Sequence, residues 1–491
     1  MVGSEGAESD AVRAGDPEDR ADAEVTERGQ TDGDEARPLR TGRVGRTASI
    51  GGLVAGQGAR WAGTRVANLV RGPEASQAAT DARVAAVASQ IVRQLGQMKG
   101  AAMKVGQVLS TIELEGLSPE AQQDFQSALA DLRDNVPTFD FEQMRGVIEE
   151  DLGGPIDTHF EEFDEEAFAA ASIGQVHRAR TLEGAEVAVK VQYPGIAEAV
   201  ESDLRNLKVL MRLAKRIAPG LDADAVATEV KERISEELDY ELEAQNQRAV
   251  AREFRGHPFV VVPGVHTQLS ARRVLVTDYV DGTRFEGVKE MNQGTRDRFG
   301  EVLFRFFFST LNRAGLALGD PHPGNYLLLD RGRVAFMDFG LVRRVGEAHL
   351  EREKALGRSI AVGSAQDVHD LMSELGYLPE PDGFEPGLLL AQLRAGARWI
   401  FEPGFRRLTP AYARELIDTG GSVNSEYFEM MRRQTIPPES LLMRRMEALL
   451  LVVLADVGAG ADWGAITREY LFGAPPQTEL GALDAEFWSR R

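Results

Sequence analysis

The chain has 491 residues and a formal net charge of −21, with 56 Lys and Arg against 77 Asp and Glu, so it lacks the basic balance that a nucleic-acid binder needs. It has no cysteine, and its seven histidines show no His-Glu-x-x-His spacing, which excludes disulfides, thiolate catalysis and Cys-based metal sites and argues against a zinc hydrolase. The longest late apolar run, Ala448 to Leu454, is bounded by Glu447 and Asp456 and falls well short of the roughly 20 residues a bilayer helix needs. The N-terminus has no basic start followed by an apolar core, so the sequence predicts a cytoplasmic protein with neither signal peptide nor transmembrane helix.

Residues 1–40 are rich in Asp, Glu, Gly, Ala and Arg and hold hardly any large apolar residue, which predicts a disordered acidic tail. In 41–79 the balance reverses. Arg43, Arg46, Arg60, Arg65 and Arg71 mix with Ile50, Leu53, Trp61, Leu69 and Val70, a candidate for peripheral contact with anionic lipid, set against a helix packing on its own domain. From Thr80, Val84, Val87, Ile91, Leu95, Met98, Ala102, Val105 and Leu109 recur at three- and four-residue steps and predict a helix. Lys104 and Gln107 lie on it three residues apart, hence on one face. A second helical stretch runs from Pro119 to Leu132.

Next comes Phe168-Ala-Ala-Ala-Ser-Ile-Gly-Gln-Val-His177, a turn at Glu183-Gly184, and Glu186-Val-Ala-Val-Lys-Val-Gln192. Alternation at Val187, Val189 and Val191 marks a strand, with Lys190 placed as the strand lysine that reaches nucleotide phosphates in a kinase N-lobe. The loop before it, where phosphates would be covered, is mostly alanine and therefore stiffer than a glycine-rich one. A helical insertion follows Pro194, then one long acidic helix is expected from about Val226 to Phe254, on which spacing alone cannot choose the glutamate that pairs with Lys190. Arg273 to Tyr279 reads as a strand entering a hinge at Val280-Asp281-Gly282, and Phe299 to Arg313 as a strongly apolar helix.

The stretch from Gly319 to Gly340 carries the chemistry. Gly-Asp-Pro-His-Pro-Gly-Asn leads into Tyr326 to Leu329, a turn at Asp330-Arg331-Gly332, and Val334-Ala-Phe-Met-Asp-Phe-Gly340. Two apolar runs about a Gly-bearing turn predict a β-hairpin, whose mouth brings Asn325 and Asp338 together. One amide oxygen and one carboxylate suit Mg²⁺, which takes its other ligands from water and phosphates, and Asp320 would lie beside it. Beyond Gly340 the chain reads as helical to its end, with breaks at Pro379, Pro403 and Pro437, and no Ala-Pro-Glu marks a peptide-binding activation segment.

With Lys190, Asp320, Asn325 and Asp338 in kinase order, and Lys104-Val-Gly-Gln107 and the Ala-rich loop in front, residues 80 to about 460 resemble the UbiB/AarF family of atypical protein-kinase-like proteins. The resemblance implies an α+β, two-lobed protein-kinase-like fold with a helical N-terminal extension and a mostly helical C-lobe. The corresponding division is an extension at 80–165, an N-lobe at 166–281 with an insertion at 195–225, a C-lobe at 282–465 and a C-terminal tail at 466–491. By the same resemblance Asp320, Lys190 and Lys104 are catalytic, and Asn325 and Asp338 hold Mg²⁺. ATP would be held by Ala169, Ala170, Ala171, Ser172, Lys190 with its partner Glu243, and the hinge residues Asp278, Tyr279 and Val280. Lys104 and Gln107 on the extension, with Glu237 and Asp239, would gate the site. The implied function is an atypical kinase or ATPase supporting isoprenoid quinone synthesis or lipid metabolism at the membrane, with quinone-pathway enzymes or intermediates as partners. A small-molecule or lipid kinase and a non-catalytic ATP-binding scaffold are the alternatives. Two features depart from the family pattern. No hydrophobic membrane helix is visible, and Gly319 stands where ordinary kinases carry His-Arg before the aspartate.

Overall fold

A computed structural model describes residues 139–171, 173–201, 238–421 and 425–491. The acidic stretch 1–40, the stretch 41–79, the helical stretches bearing Lys104 and Gln107, Ser172, most of the 195–225 insertion and Glu237 lie outside the described residues.

The described chain opens with α1 (Phe141–Leu152) and strands β1 (Phe160–Phe163), β2 (Ala169–Ala171), β3 (Gly174–Thr181) and β4 (Glu186–Gln192). After α2 (Tyr240–Glu253) and β5 (Val260–Val261), β6 (Val274–Asp278) completes an antiparallel sheet ordered β1-β3-β4-β6, with β2 along β3. The valines of β4 explain its place. Val187, Val189 and Val191 are fully buried on one face while Lys190 points from the other. Gly174 opens β3 because a Cβ there would stand 2.1 Å from the Val191 carbonyl oxygen. The alanines expected as a loop are themselves a short strand, with Ala169 opposite Val176 and Ala171 opposite Gly174.

The long helix expected from Val226 to Phe254 is not continuous. Leu238 sits in a turn, and α2 starts only at Tyr240 because the Asp239 backbone is extended (φ −119°, ψ 90°) and its carboxylate accepts the Leu242 amide at 3.0 Å. An aspartate that can satisfy a free amide this way favours a helix start over a helix interior.

The second part begins with β7 (Thr283–Arg284), α3 (Phe285–Lys289) and α4 (Gln293–Asn312). From Phe299 to Leu311 every residue of α4 except Glu301 is buried, as befits a helix surrounded by protein. Four short strands follow: β8 (Leu316–Leu318), β9 (Tyr326–Leu328), β10 (Val334–Phe336) and β11 (Val342–Arg344). β9 and β10 form the expected hairpin, β5 runs parallel beside β10, and β11 pairs β8 with Val342 opposite Leu318. Stacked Phe306 and Phe336 rings, 3.6 Å apart at their centroids, fix the hairpin on α4.

Helices α5 (Glu347–Val362), α6 (Ala365–Leu375) and α7 (Pro386–Phe401) enclose a separate apolar cluster around Val368, Met372 and Leu389. The rest is not wholly helical. β12 (Arg406–Arg407), ahead of α8 (Pro410–Gly421), α9 (Phe428–Met431) and α10 (Pro438–Asp456), pairs with β13 (Gly460–Ala461), which is followed by α11 (Trp463–Phe472) and α12 (Glu479–Ser489). Residues 466–491, expected as a tail, instead pack on α4. Asp484 of α12 is buried and accepts from His257 at 3.1 Å, and the buried Arg305 of α4 pairs with Glu469 of α11 at 2.8 Å. This sheet-bearing part followed by a mainly helical one is the two-lobed α+β kinase-like arrangement.

Candidate active site

Lys190 Nζ donates to both carboxylate oxygens of Glu243, each at 2.8 Å, and lies 4.8 Å from the centre of the Tyr240 ring. Glu243 stands in the first turn of α2, where the helix amides favour an anion, and Asp239 fixes where that turn begins. Burial by itself would lower the Lys190 ammonium. The Glu243 carboxylate, Tyr240 and Asp338 together outweigh it and hold the ammonium above its ordinary range. Lys190 is therefore charged at every physiological pH.

Below it, the hairpin register sets Phe336 opposite Tyr326, and the Met337 amide donates to the Asn325 carbonyl at 3.0 Å. Asn325 and Asp338 thus flank one hairpin mouth and, with Asp320, line a single small cleft. Asp338 Oδ1 accepts the Gly340 amide at 2.9 Å, and His322 Nδ1 accepts the Gly324 amide at 3.1 Å, so local turns orient both ends of the motif. Phe339 is buried, and its carbonyl accepts from Asn246 Nδ2 at 3.0 Å. Asn246 lies one turn along α2 from Glu243. One helix therefore braces both the strand lysine and the Asp-Phe-Gly turn. That i, i+3 spacing was the signal by which Asn246 could have been found.

Among the described residues no three His, Cys, Asp or Glu form a metal cage. The donors present, an amide oxygen and a carboxylate lining one cleft, with the carboxylate within electrostatic reach of Lys190, fit a hard cation that completes its shell with phosphate and water. Asp278, assigned to nucleotide binding, spends its carboxylate elsewhere, accepting from the Gly264 amide at 2.8 Å and bonding His266 at 2.9 Å. What this segment can offer a purine is backbone. The Tyr279 amide already donates to the Glu186 carbonyl, and the Tyr279 ring meets Phe168 edge-on with the Arg178 guanidinium 4.4 Å from its centre.

Two cleft features were not legible in sequence. The Tyr326 phenol is buried without a hydrogen-bond partner among the described residues, and burial, reinforced by Asp320 and Asp338, pushes it well above its ordinary range. Arg445, 125 positions after Asp320, reaches that aspartate from α10.

Residues 131–368 match the family model described as the ABC1 atypical kinase-like domain. These residues are thus an ABC1 atypical kinase-like domain. It is 31% identical over 420 residues to the zebrafish "Atypical kinase COQ8B, mitochondrial", covering 84% of this chain and 65% of that one. It is 34% identical over 250 residues to the Arabidopsis thaliana "Protein ACTIVITY OF BC1 COMPLEX KINASE 8, chloroplastic", covering 49% and 32%. The chain thus spans just under two thirds of the first relative's length and about a third of the second's. Among solved structures, the complex of Rv3197 with erythromycin from Mycobacterium tuberculosis is similar, with a TM-score of 0.57 and 29% identity over 78% of this chain and 95% of that one. Among the described residues, no helix is long and apolar enough to cross a membrane.

Proposed function

We propose that this ABC1-family chain binds Mg-ATP and releases its γ-phosphoryl group to water, acting as an atypical kinase-like ATPase that supports isoprenoid quinone synthesis or lipid metabolism at a membrane surface. The observation that carries the reading is the Lys190–Glu243 pair, within electrostatic reach of Asp338, which shares a cleft with Asn325 and Asp320. Mg²⁺ held by Asn325 and Asp338 would neutralise charge on the phosphate oxygens. Lys190, held by Glu243, does the same from the sheet side. Asp320 orients the attacking oxygen and takes its proton as the bond to the bridging oxygen breaks and ADP leaves with the electron pair.

Ala169, Ala170 and Ala171, with Ser172, would cover the phosphates, and the backbone of Asp278, Tyr279 and Val280 would meet the adenine. Lys104 and Gln107, with Glu237 as the partner of Lys104, are assigned to gating from the extension. Asp239 acts by ordering the start of α2 and hence Glu243. The arginines of 41–79 are the proposed contact with anionic lipid, which would make the protein peripheral at the inner membrane face.

The fate of γ-labelled ATP tests this. Label released as inorganic phosphate without added acceptor is the expected result. Label appearing only on an added lipid or small hydroxyl compound would move the assignment to a small-molecule kinase, and binding with neither outcome would make the protein a nucleotide-dependent scaffold.

A further inference from the structure

The step Gly319-Asp320 is held from outside its own lobe strand. Arg445 of α10 donates from Nε to the Gly319 carbonyl at 2.7 Å and from Nη2 to Asp320 Oδ1 at 3.4 Å. Leu442, one turn earlier on the same helix face, presses on the same step, since a Cβ on Gly319 would stand 2.1 Å from Leu442 Cδ1. Glycine at 319 therefore lets α10 come close enough for its arginine to arrive, and the Gly319 amide is itself taken up by the Leu341 carbonyl at 3.0 Å. The two side chains are each about one-quarter exposed, so the pair is partly withdrawn from bulk water, with Asp320 on the cleft wall.

Ordinary kinases carry an arginine in sequence just before this aspartate, and here that position is glycine. We infer that Arg445 is the positioning residue for Asp320: through space, it fixes the direction in which the Asp320 carboxylate meets the attacking oxygen. The neighbouring Arg444 turns the other way, to the buried Glu353 at 3.1 Å, which sets the rotation of α10 and so aims Arg445 at the aspartate. The two side chains divide the work, one anchoring the helix and the other reaching the site.

The inference rests on the ATPase reading. Its test compares kcat for Mg-ATP hydrolysis with the dissociation constant for Mg-ATP in full-length Arg445→Met and Arg445→Lys proteins of wild-type fold by thermal melting. A carboxylate left to wander costs rate and not nucleotide binding. Arg445→Met should lower kcat by roughly ten- to a hundredfold, as small misplacements of a reacting group do, with nucleotide affinity within about twofold of wild type. Arg445→Lys, which keeps the charge, should recover a large part of that loss. If Arg445→Met does not fold, Arg445→Gln, which keeps a donor for the Gly319 carbonyl, replaces it.

An unchanged kcat, a parallel loss of affinity and kcat, or a lysine variant as slow as the methionine one would each overturn the assignment. A wild-type protein without turnover would instead reject the ATPase reading itself, and Arg445's role with it.

Discussion

Lys190 illustrates how much one side chain depends on its partner. Its side chain is only about one-fifth exposed, and burial there opposes the charge, so the carboxylate of Glu243, to which Nζ donates, is the main group offsetting that burial. Glu243→Gln retains shape and one acceptor but loses the charge. It should lower kcat/KM for Mg-ATP by about ten- to a hundredfold, roughly 1.4–2.8 kcal/mol, read by steady-state kinetics beside a melting curve. Sequence placed Lys190 through the valine alternation around it, but several glutamates and aspartates crowd the acidic stretch before it docks. Which of them faces Lys190 depends on where α2 starts, and Asp239 decides that by capping.

At the scale of the element, strand and hairpin periodicity was legible because period-two burial leaves a direct mark on sequence. Both β4 and the β9–β10 pair lie where the pattern put them. The Ala-rich stretch left no such mark, since three alanines alternate nothing, and only pairing with β3 makes them a strand. The same strand carries a pH-sensitive group. His177 on β3 is fully buried, its Nδ1 bonds the Asp164 carbonyl at 2.8 Å, and its Nε2 meets Gln175 at 3.0 Å. Burial holds it below its usual value of 6.5, with the Asp164 carbonyl pulling weakly the other way. The unfolded chain thus binds the proton more readily. The neutral ring's contribution to stability is complete above about pH 6.5 and is lost as pH falls from there through the folded-state value. Urea melts between pH 7.5 and 5 should show stability falling with acidity, and His177→Gln should flatten that slope even if it starts lower.

For the whole molecule, what sequence could not show is how distant segments close on one another. Arg305 on α4 is wholly buried, and its guanidinium binds Glu301, Glu469 and Thr478, so the last two helices belong to the helical core. Arg445 reaches Asp320 through the same kind of long-range closure. Composition treats such residues as solvated surface, and their partners appear only once helices pack. In the proposed function, these closures build a metal-dependent phosphoryl-transfer site. Its most direct test is steady-state Mg-ATP hydrolysis by the full chain, wild type against Asp338→Asn. Turnover is expected in the wild type, with a loss of about a hundredfold or more in the variant at unchanged melting temperature. Undiminished hydrolysis in Asp338→Asn would contradict that function.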